Sequence, residues 1–493
     1  MRLSELIETA GVAVRRMVGD GGENIERVVC DSREAAPETL FVCIRGFTGD
    51  GHAYAARAYA AGCRAFLAEA ALALPDDAAV VYTDNTRRAL AQVSAAFFGF
   101  PARDMTVIGI TGTKGKTTTA LMTAAILSEN GIPAGYIGSN GVDFMGNHFD
   151  TKNTTPESLE LHGYFDRMRR AGCRAVVLEV SSQALYLDRV YGIPFDAVAF
   201  TNLAPDHIGG FEHPTFEHYR DSKKKLFTDF GAAFAVGNAD DPETAYMLDG
   251  CTALCSSFGT TAGDFRASAI TPFCEAGELG VEFTLTHFGT ERRVHLPMPG
   301  AFNAHNALCA IALAHLFGVS IDDAADTLAH TYVRGRFEIV KTPLDAVFIL
   351  DYAHNGLSLE SALTTLRAYA PHRLVCVLGS VGGRTEGRRA ELGRAVSTYA
   401  DAAILTADNP DYEDPAAICA AIREAFVRKI PAEIIPDRTE AVRRAVEQAA
   451  PGDIVLFAGK GHEQYQLVRG GKLPFSERRL IEEAAAARAL AKV

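Results

Sequence analysis

No apolar run in this chain approaches the roughly 18–20 residues that a membrane-spanning helix needs. No Cys-x-x-Cys pair occurs either. Ten cysteines are scattered singly, among them Cys30, Cys63, Cys173 and Cys376, and the nearest two are Cys251 and Cys255. That spacing argues against a structural zinc site or a dithiol redox motif, and it points to reduced thiols. There is no internal repeat and no low-complexity tract. Positive charge is not in excess: the formal net charge is -13 and the pI about 5.6. An acidic surface makes a poor non-specific nucleic-acid binder, so no nucleic-acid partner is expected. The opening stretch MRLSELIETAGV is amphipathic and unlike a signal peptide, which gives the expectation of a cytoplasmic protein.

What is present is the composition of a globular protein, 48% hydrophobic and 22% charged over 493 residues. That length implies two to four domains of about 100–200 residues each. The pattern divides into three blocks, expected at 1–103, 104–338 and 339–493. The first mixes short strands such as Thr39–Ile44 with Ala-rich helical stretches such as Ala53–Gly62, and closes on a Gly-Phe-Pro turn at Gly99–Pro101. The second opens with MTVIGIT, Met105–Thr111, a continuous apolar run that reads as a buried parallel strand. A helix from about Thr117 to Asn130 follows, then buried strands at Ala175–Val180 and Ala197–Thr201. In the third, strands at Val347–Leu350, Leu374–Leu378, Ala402–Leu405 and Ile454–Phe457 alternate with helical segments such as Ser358–Tyr369 and Arg438–Ala449. Its end, IEEAAAARALAKV, reads as an exposed helix. Strands alternating with helices predict an α/β protein: a smaller N-terminal α/β domain, a central doubly wound sheet and a C-terminal Rossmann-like domain.

The most informative segment is IGITGTKGKTTT, Ile108–Thr119. A strand enters a Gly-rich loop that opens into a helix, so loop N–H groups and the helix N-terminus aim partial positive charge at one place. Lys116 can reach the β- and γ-phosphates of a nucleotide, and Thr117 can place its hydroxyl on Mg²⁺. The general pattern has a glycine five residues before Gly115, where this chain has Ile110. The loop is therefore a short form, Gly112-Thr113-Lys114-Gly115-Lys116-Thr117, continuing into Thr118. Glu179 stands at the end of the strand AVVLEV, at the C-terminal edge of a parallel sheet, where ligands bind and where an oxygen ligand for Mg²⁺ is well placed. Its bland alternative is a turn residue capping the next helix. Lys223, Lys224 and Lys225 form a run whose ordinary meaning is a solvated helix face.

The short loop resembles that of the Mur ligase family, which reads Thr-Gly-Thr-x-Gly-Lys-Thr. The resemblance runs over nearly the whole chain and implies an ATP-dependent ligase that activates a carboxylate as an acyl phosphate and joins it to an amine. It implies ATP and Mg²⁺ as cofactors. His207, in TNLAPDHIGG, would assist a metal. Lys223, the lysine after Tyr219, would be carbamylated and bind a second Mg²⁺, which requires an amine that is neutral part of the time. Asn303, with His305 and Asn306, would serve the nucleotide. Arg336 in GRFE would neutralise the transferring phosphate, and Asp351 in DYAH would contact ATP. The implied catalytic set is Lys116, Glu179, His207, Lys223 and Arg336, and the implied metal set Thr117, Glu179, His207 and carbamylated Lys223.

Within the family, Asp31-Ser32-Arg33 resembles the motif by which the branch that adds the third peptide residue holds the UDP end of its substrate, with Ser32 the contact. Asn153, Thr154, Thr155, Ser181 and Arg189 match positions that hold the muramoyl-dipeptide. Leu187 departs from the pattern, since some members of the branch have Gln there. Asp408-Asn409-Pro410-Asp411 would set the incoming amino acid. Members that add meso-diaminopimelate carry Arg at the last of these positions, pairing with the distal carboxylate. An aspartate repels that carboxylate and attracts an ammonium, so the expectation is L-lysine. Arg384, or Arg388 or Arg389 beside it, would hold the α-carboxylate, and Gly461 and Glu463 the amino group. The expected reaction is addition of L-lysine, through its α-amine, to the D-Glu γ-carboxylate of UDP-N-acetylmuramoyl-L-Ala-D-Glu in peptidoglycan synthesis, by a monomer. Three alternatives stay open: meso-diaminopimelate or ornithine as the amino acid, a folylpolyglutamate synthase, and a nucleotide-binding regulator that ligates nothing.

Overall fold

The computed structural model describes residues 1–491 apart from 47–48, 207, 210–211, 276 and 384–385. The chain forms two compact units. One comprises Met1–Arg266 with Asn306–Ala324, the other Ala267–His305 with Ala325–Val493.

The first unit holds two sheets. The N-terminal sheet has five strands in the order Arg16–Val18, Ala79–Tyr82, Ala65–Ala68, Thr39–Val42, Arg27–Val29, parallel except for the first pairing. Its strands are short and apolar on both faces, and they bury Leu40, Val42, Leu67 and Val81 against the helices Leu3–Ala10 and Thr86–Phe97. The expected helical stretch at Ala53–Gly62 is a 3₁₀ turn, Gly51–Tyr54, running into the helix Ala55–Ala60.

The second sheet is built around Thr106–Thr111, with Ala175–Glu179 on one side and Ala197–Phe200 on the other, all parallel. Ala134–Gly138 extends it beyond the former, and Phe234–Asn238 and Leu254–Gly259 beyond the latter. All three central strands are buried along their length, as their unbroken apolar sequences require. The register sets the site. Glu179 pairs with Ile110 and Phe200 with Thr111, so both flanking strands end where the Gly-rich loop begins.

The second unit contains a six-stranded sheet in the order Glu338–Val340, Val347–Asp351, Ile454–Ala458, Leu374–Leu378, Ala402–Leu405, Ala432–Ile434, antiparallel only at its first pairing. It also has a long antiparallel hairpin, Glu278–His287 with Thr290–Leu296, and a short one, Tyr465–Val468 with Gly471–Pro474. The C-terminal helix, Glu477–Leu490, starts earlier than its exposed Ala-rich end suggests, with Ser476 as its N-cap.

That start is buried for an electrostatic reason. Arg438 is 1% exposed and its Nε donates to Glu477 Oε1 at 2.8 Å. Its other nitrogens donate to the carbonyls of Ala407 and Ala458, beyond the end of Ala402–Leu405 and at the end of Ile454–Ala458, two strands that flank Leu374–Leu378. Removing one partner of a buried pair leaves an uncompensated charge, which costs about 3–5 kcal/mol. Glu477→Ala is therefore expected to destabilise the protein by about that amount in urea unfolding. An unchanged midpoint would show that the carbonyls alone satisfy Arg438.

Candidate active site

The Gly-rich loop joins the strand Thr106–Thr111 to the helix Lys116–Glu129. Gly115 caps that helix with φ +85°, and a Cβ there would lie 2.4 Å from Asn306 Oδ1, so only glycine fits. The loop is clamped from the neighbouring strand end. Thr113 N donates to the Asn202 carbonyl at 2.8 Å, Lys114 N donates to Asn202 Oδ1 at 2.9 Å, and Thr201 Oγ1 donates to the Lys114 carbonyl at 2.7 Å. Thr113 Oγ1 lies 3.0 Å from the buried Tyr219 hydroxyl.

Two ammonium groups converge on one loop carbonyl. Lys116 Nζ donates to Gly112 O at 2.9 Å and Thr113 O at 3.0 Å, and Lys223 Nζ donates to Gly112 O at 2.8 Å. Lys223, on the helix Phe216–Thr228, is 2% exposed. Burial, and then the charge of Lys116, push its ammonium well below its ordinary value. Lys223 thus departs from its neighbours in the charge run. Lys224 does what such a run ordinarily does, pairing with the exposed Asp249 at 3.0 Å.

Glu179 is fully buried and holds four donors. Its Oε1 accepts from the Tyr136 hydroxyl at 2.6 Å and Ser139 N at 2.9 Å, its Oε2 from Thr117 Oγ1 at 3.0 Å and Ser139 Oγ at 3.4 Å. The capping alternative is assigned elsewhere: Ser181, not Glu179, caps the helix Ser182–Tyr186 by accepting from Ala184 N.

The expected dipeptide residues gather beside Glu179. Thr155 Oγ1 donates to the Glu179 carbonyl at 2.8 Å and accepts from Ser181 N at 3.0 Å, and Thr154 Oγ1 lies 3.1 Å from Ser139 Oγ. Arg189 donates to the Thr155 carbonyl at 3.1 Å and pairs with Glu157 at 2.8 Å. Glu157 in turn meets Arg87 of the N-terminal sheet region at 3.4 Å. Asn153 is half-buried in the loop before Thr154, its carbonyl accepting from Thr151. Ser32 is buried after the strand Arg27–Val29. Beside it Arg33 bonds the half-buried Asp31 and holds that carboxyl down at about 2.

In the second unit, Asp351 joins two turns. Its Oδ2 accepts from Phe337 N and its Oδ1 from Ala353 N, each at 2.9 Å, and burial raises its carboxyl, opposed by Arg336. Arg336 lies over the Tyr352 ring at 5.5 Å. Asn303 is 1% exposed and donates to the Pro299 carbonyl at 2.7 Å, inside its own segment. Both Asp351 carboxylate oxygens and the Asn303 amide are thus engaged in holding backbone.

Asn409, Glu463 and Lys460 form one buried cluster. Asp411 stands apart from it. Its carboxylate accepts from Gly470 N at 2.6 Å, its own N–H donates to Leu467 O, and its carbonyl accepts from Arg469 N. With φ +52°, a conformation aspartate tolerates, it pins the hairpin Tyr465–Pro474. Arg389 pairs with Glu413 at 2.5 Å, and Glu413 also accepts from Gly383 N. His207 and Arg384 lie outside the described residues.

The donor set suits Mg²⁺. Thr117 Oγ1 and Glu179 Oε2 are hard oxygen donors at the mouth of a phosphate loop, and this ion keeps waters and phosphate oxygens, needing only one or two protein oxygens. Among the described residues no group of three or more His, Cys, Asp or Glu gathers to hold an ion unaided.

Some of the groups that build the site gave no separate signal. Tyr136 and Ser139 sit in AGYIGSN, where an aromatic in a buried strand reads as core. Lys460 did carry a signal, a cation between two glycines directly after a buried strand.

Three family models match the chain: the Mur ligase family catalytic domain over 24–98, the Mur ligase middle domain over 110–314, and the Mur ligase glutamate ligase domain over 335–461. A UDP-N-acetylmuramoyl-L-alanyl-D-glutamate--2,6-diaminopimelate ligase of Chlorobaculum tepidum is 40% identical, covering 98% of this chain and 96% of its own. This chain belongs to the Mur ligase family. It is an ATP-dependent, ADP-forming ligase. A relative of the same printed name in Geobacillus kaustophilus is 38% identical over 94% of this chain and 95% of its own. A solved structure of that name superimposes with a TM-score of 0.71 at 25% identity over 99% of both chains. No described helix is long and apolar enough to cross a membrane.

The tight space around Glu179 gives a test. A Cβ on Gly138 would lie 2.1 Å from Glu179 Oε1 and 2.4 Å from the Tyr136 hydroxyl. Gly138→Ala is expected to move the carboxylate and lower ATP turnover by about a hundredfold, the scale of losing one preorganised group, while the circular dichroism spectrum is kept. Unchanged turnover would show that Glu179 can shift without cost.

Proposed function

We propose that this ligase joins a diamino acid to the D-Glu γ-carboxylate of UDP-N-acetylmuramoyl-L-Ala-D-Glu, forming the tripeptide precursor of peptidoglycan in the cytoplasm. The observation that carries this reading is end-to-end similarity to ligases named for that dipeptide, the N-terminal block with Ser32 included. A folylpolyglutamate synthase would have no use for that block, and a mere nucleotide sensor none for the residues around Glu179.

We read the amino acid as 2,6-diaminopimelate rather than lysine. The lysine expectation rests on Asp411 offering a free negative charge. One oxygen of its carboxylate instead accepts from Gly470 N, which ties the side chain to the hairpin. The relatives named above carry diaminopimelate in their printed names.

In the proposed mechanism the N–H groups that open the helix Lys116–Glu129 face the ATP phosphates, while Thr113 N and Lys114 N stay on Asn202 and hold the loop in place. Lys116 leaves the loop carbonyls to neutralise charge on the transferring γ-phosphoryl group. Thr117 and Glu179 would hold Mg²⁺, which supplies further charge neutralisation when bound. Thr154, Thr155, Ser181 and Arg189 orient the dipeptide so that its γ-carboxylate oxygen attacks the γ-phosphorus and ADP leaves. The amine of the diamino acid then attacks the acyl carbon, the C–O bond to phosphate breaks, and the amine proton passes to solvent. Carbamylation of Lys223 would convert a cation that repels Lys116 into a carboxylate that attracts it. The depressed basicity of Lys223 supplies the neutral amine this needs at lower pH than an exposed lysine would.

Phosphate release from ATP with the UDP-dipeptide is expected with meso-diaminopimelate and not with L-lysine or L-ornithine. Release with lysine alone would restore the reading of Asp411 as the selector. No release with any of them would turn the assay to folate acceptors. For Lys223, activity is expected to fall when dissolved CO₂ is stripped and to return with bicarbonate. Carbon-13 bicarbonate should give a carbamate resonance absent from Lys223→Met. Full activity without CO₂ would remove the modification from the mechanism.

A further inference from the structure

Lys460 is 0% exposed, follows the strand Ile454–Ala458, and appears in none of the roles assigned above. Its Nζ donates to Glu463 Oε2 and to Asn409 Oδ1, each at 2.8 Å, and lies 3.7 Å from Asp408 Oδ1. Asn409 Nδ2 donates to the same Glu463 oxygen at 3.0 Å, and Asn409 Oδ1 also accepts from Leu467 N at 2.8 Å. The residue before this lysine must be glycine. Gly459 has φ +108°, and a Cβ there would come 2.9 Å from Asp408 Oδ2.

Two consequences follow. Glu463 Oε2 is saturated by two donors and its rotamer is fixed by them, while Oε1 receives neither. The side chain is still 13% exposed, so it has a route to a ligand. The formal charges also do not cancel. Arg438, paired with Glu477, acts on Asp408 as well, so Asp408, Glu463 and Glu477 stand against Lys460 and Arg438, three carboxylates to two cations. A further ammonium balances them.

We propose that Lys460 is the positioning residue of the amino-acid subsite: it holds Glu463 and Asn409 so that Glu463 Oε1 accepts the ammonium of the incoming diamino acid. This rests on the reading of Glu463 as part of that subsite. Lys460 touches no substrate and acts through its two partners. A lysine suits the task because its compact ammonium has three donors to divide among Asp408, Asn409 and Glu463.

The test is steady-state kinetics on the full-length ligase with ATP, UDP-dipeptide and meso-diaminopimelate or L-lysine, whichever supports turnover. Lys460→Met keeps the length of the side chain and removes its charge. It is expected to raise the KM for the amino acid on the order of tenfold or more, the scale of a charge-assisted hydrogen bond. The KM values for ATP and UDP-dipeptide should stay within about twofold, and Lys460→Arg should recover part of the loss. If Lys460→Met does not fold, Asn409→Ala removes one of the two donors to Glu463 Oε2 and should raise the same KM alone. A uniform loss with all three substrates, or an unchanged amino-acid KM, overturns the proposal. Glu463→Gln separates the two levels. If it leaves the amino-acid KM unchanged, the subsite reading itself fails. If it raises that KM while Lys460→Met does not, only the role of Lys460 fails.

Discussion

The buried carboxylate of Glu179 is the constraint on which the nucleotide-binding unit turns. It ends a strand paired residue for residue with the one that enters the phosphate loop, so its side chain arrives beside Thr117 by register alone. A carboxylate with no exposure is tolerated only when its oxygens are filled with donors. Tyr136, Ser139 and Thr117 fill them, and each comes from a different stretch of chain: a neighbouring strand, the turn after it and the loop helix. Satisfying one charge therefore fixes three segments against one another. The Glu179 backbone carbonyl extends the linkage to Thr155, and through it to Ser181 and Arg189. The phosphate-loop helix and the Thr155–Ser181–Arg189 cluster are in this way two sides of one hydrogen-bonded unit.

Opposite this anion the loop collects cations. Lys116 and Lys223 both donate to the carbonyl of Gly112, an arrangement in which each opposes the charge of the other. Such a pair is poised to be relieved, either by phosphate oxygens drawing Lys116 away or by Lys223 giving up its charge. The second unit solves a related problem differently. Its buried cations Arg438 and Lys460 each have a carboxylate partner, and they tie the ends of two parallel strands that flank a third to the start of the last helix and to the Gly461–Glu463 turn.

The parallel strands and the phosphate loop were legible in the sequence because a strand buried on both faces must be apolar throughout, and a loop that wraps phosphate must spend its glycines at fixed places. Ile454–Ala458 and Leu374–Leu378 stand within a residue of where their apolar runs put them. The region from Leu254 to Leu296 was not read, since its strands are half-exposed and carry polar residues that break any simple period. Among the candidate residues, Glu179 could be named from its strand end and Thr117 from the loop pattern, while Thr155 came only from the resemblance to the family. Asp411 carries a feature that its sequence motif does not show: hydrogen bonds to Gly470 and Leu467 tie it to the hairpin, and only the folded chain reveals them. Tyr136 shows the converse, a residue that reads as core and in the fold holds Glu179, and Lys460 does the same for Glu463.

The central claim is that the phosphate loop and Glu179 serve the making of an acyl phosphate on a muramoyl-dipeptide carboxylate. The most direct measurement follows an oxygen atom. The D-Glu γ-carboxylate is labelled with heavy oxygen, the ligase is run to completion with ATP and the diamino acid, and the released phosphate is weighed by mass spectrometry. An acyl phosphate requires one carboxylate oxygen to leave with phosphorus, so each phosphate should carry one heavy oxygen. Phosphate free of label would mean that ATP is hydrolysed without activating the carboxylate, and the account of the site would be wrong.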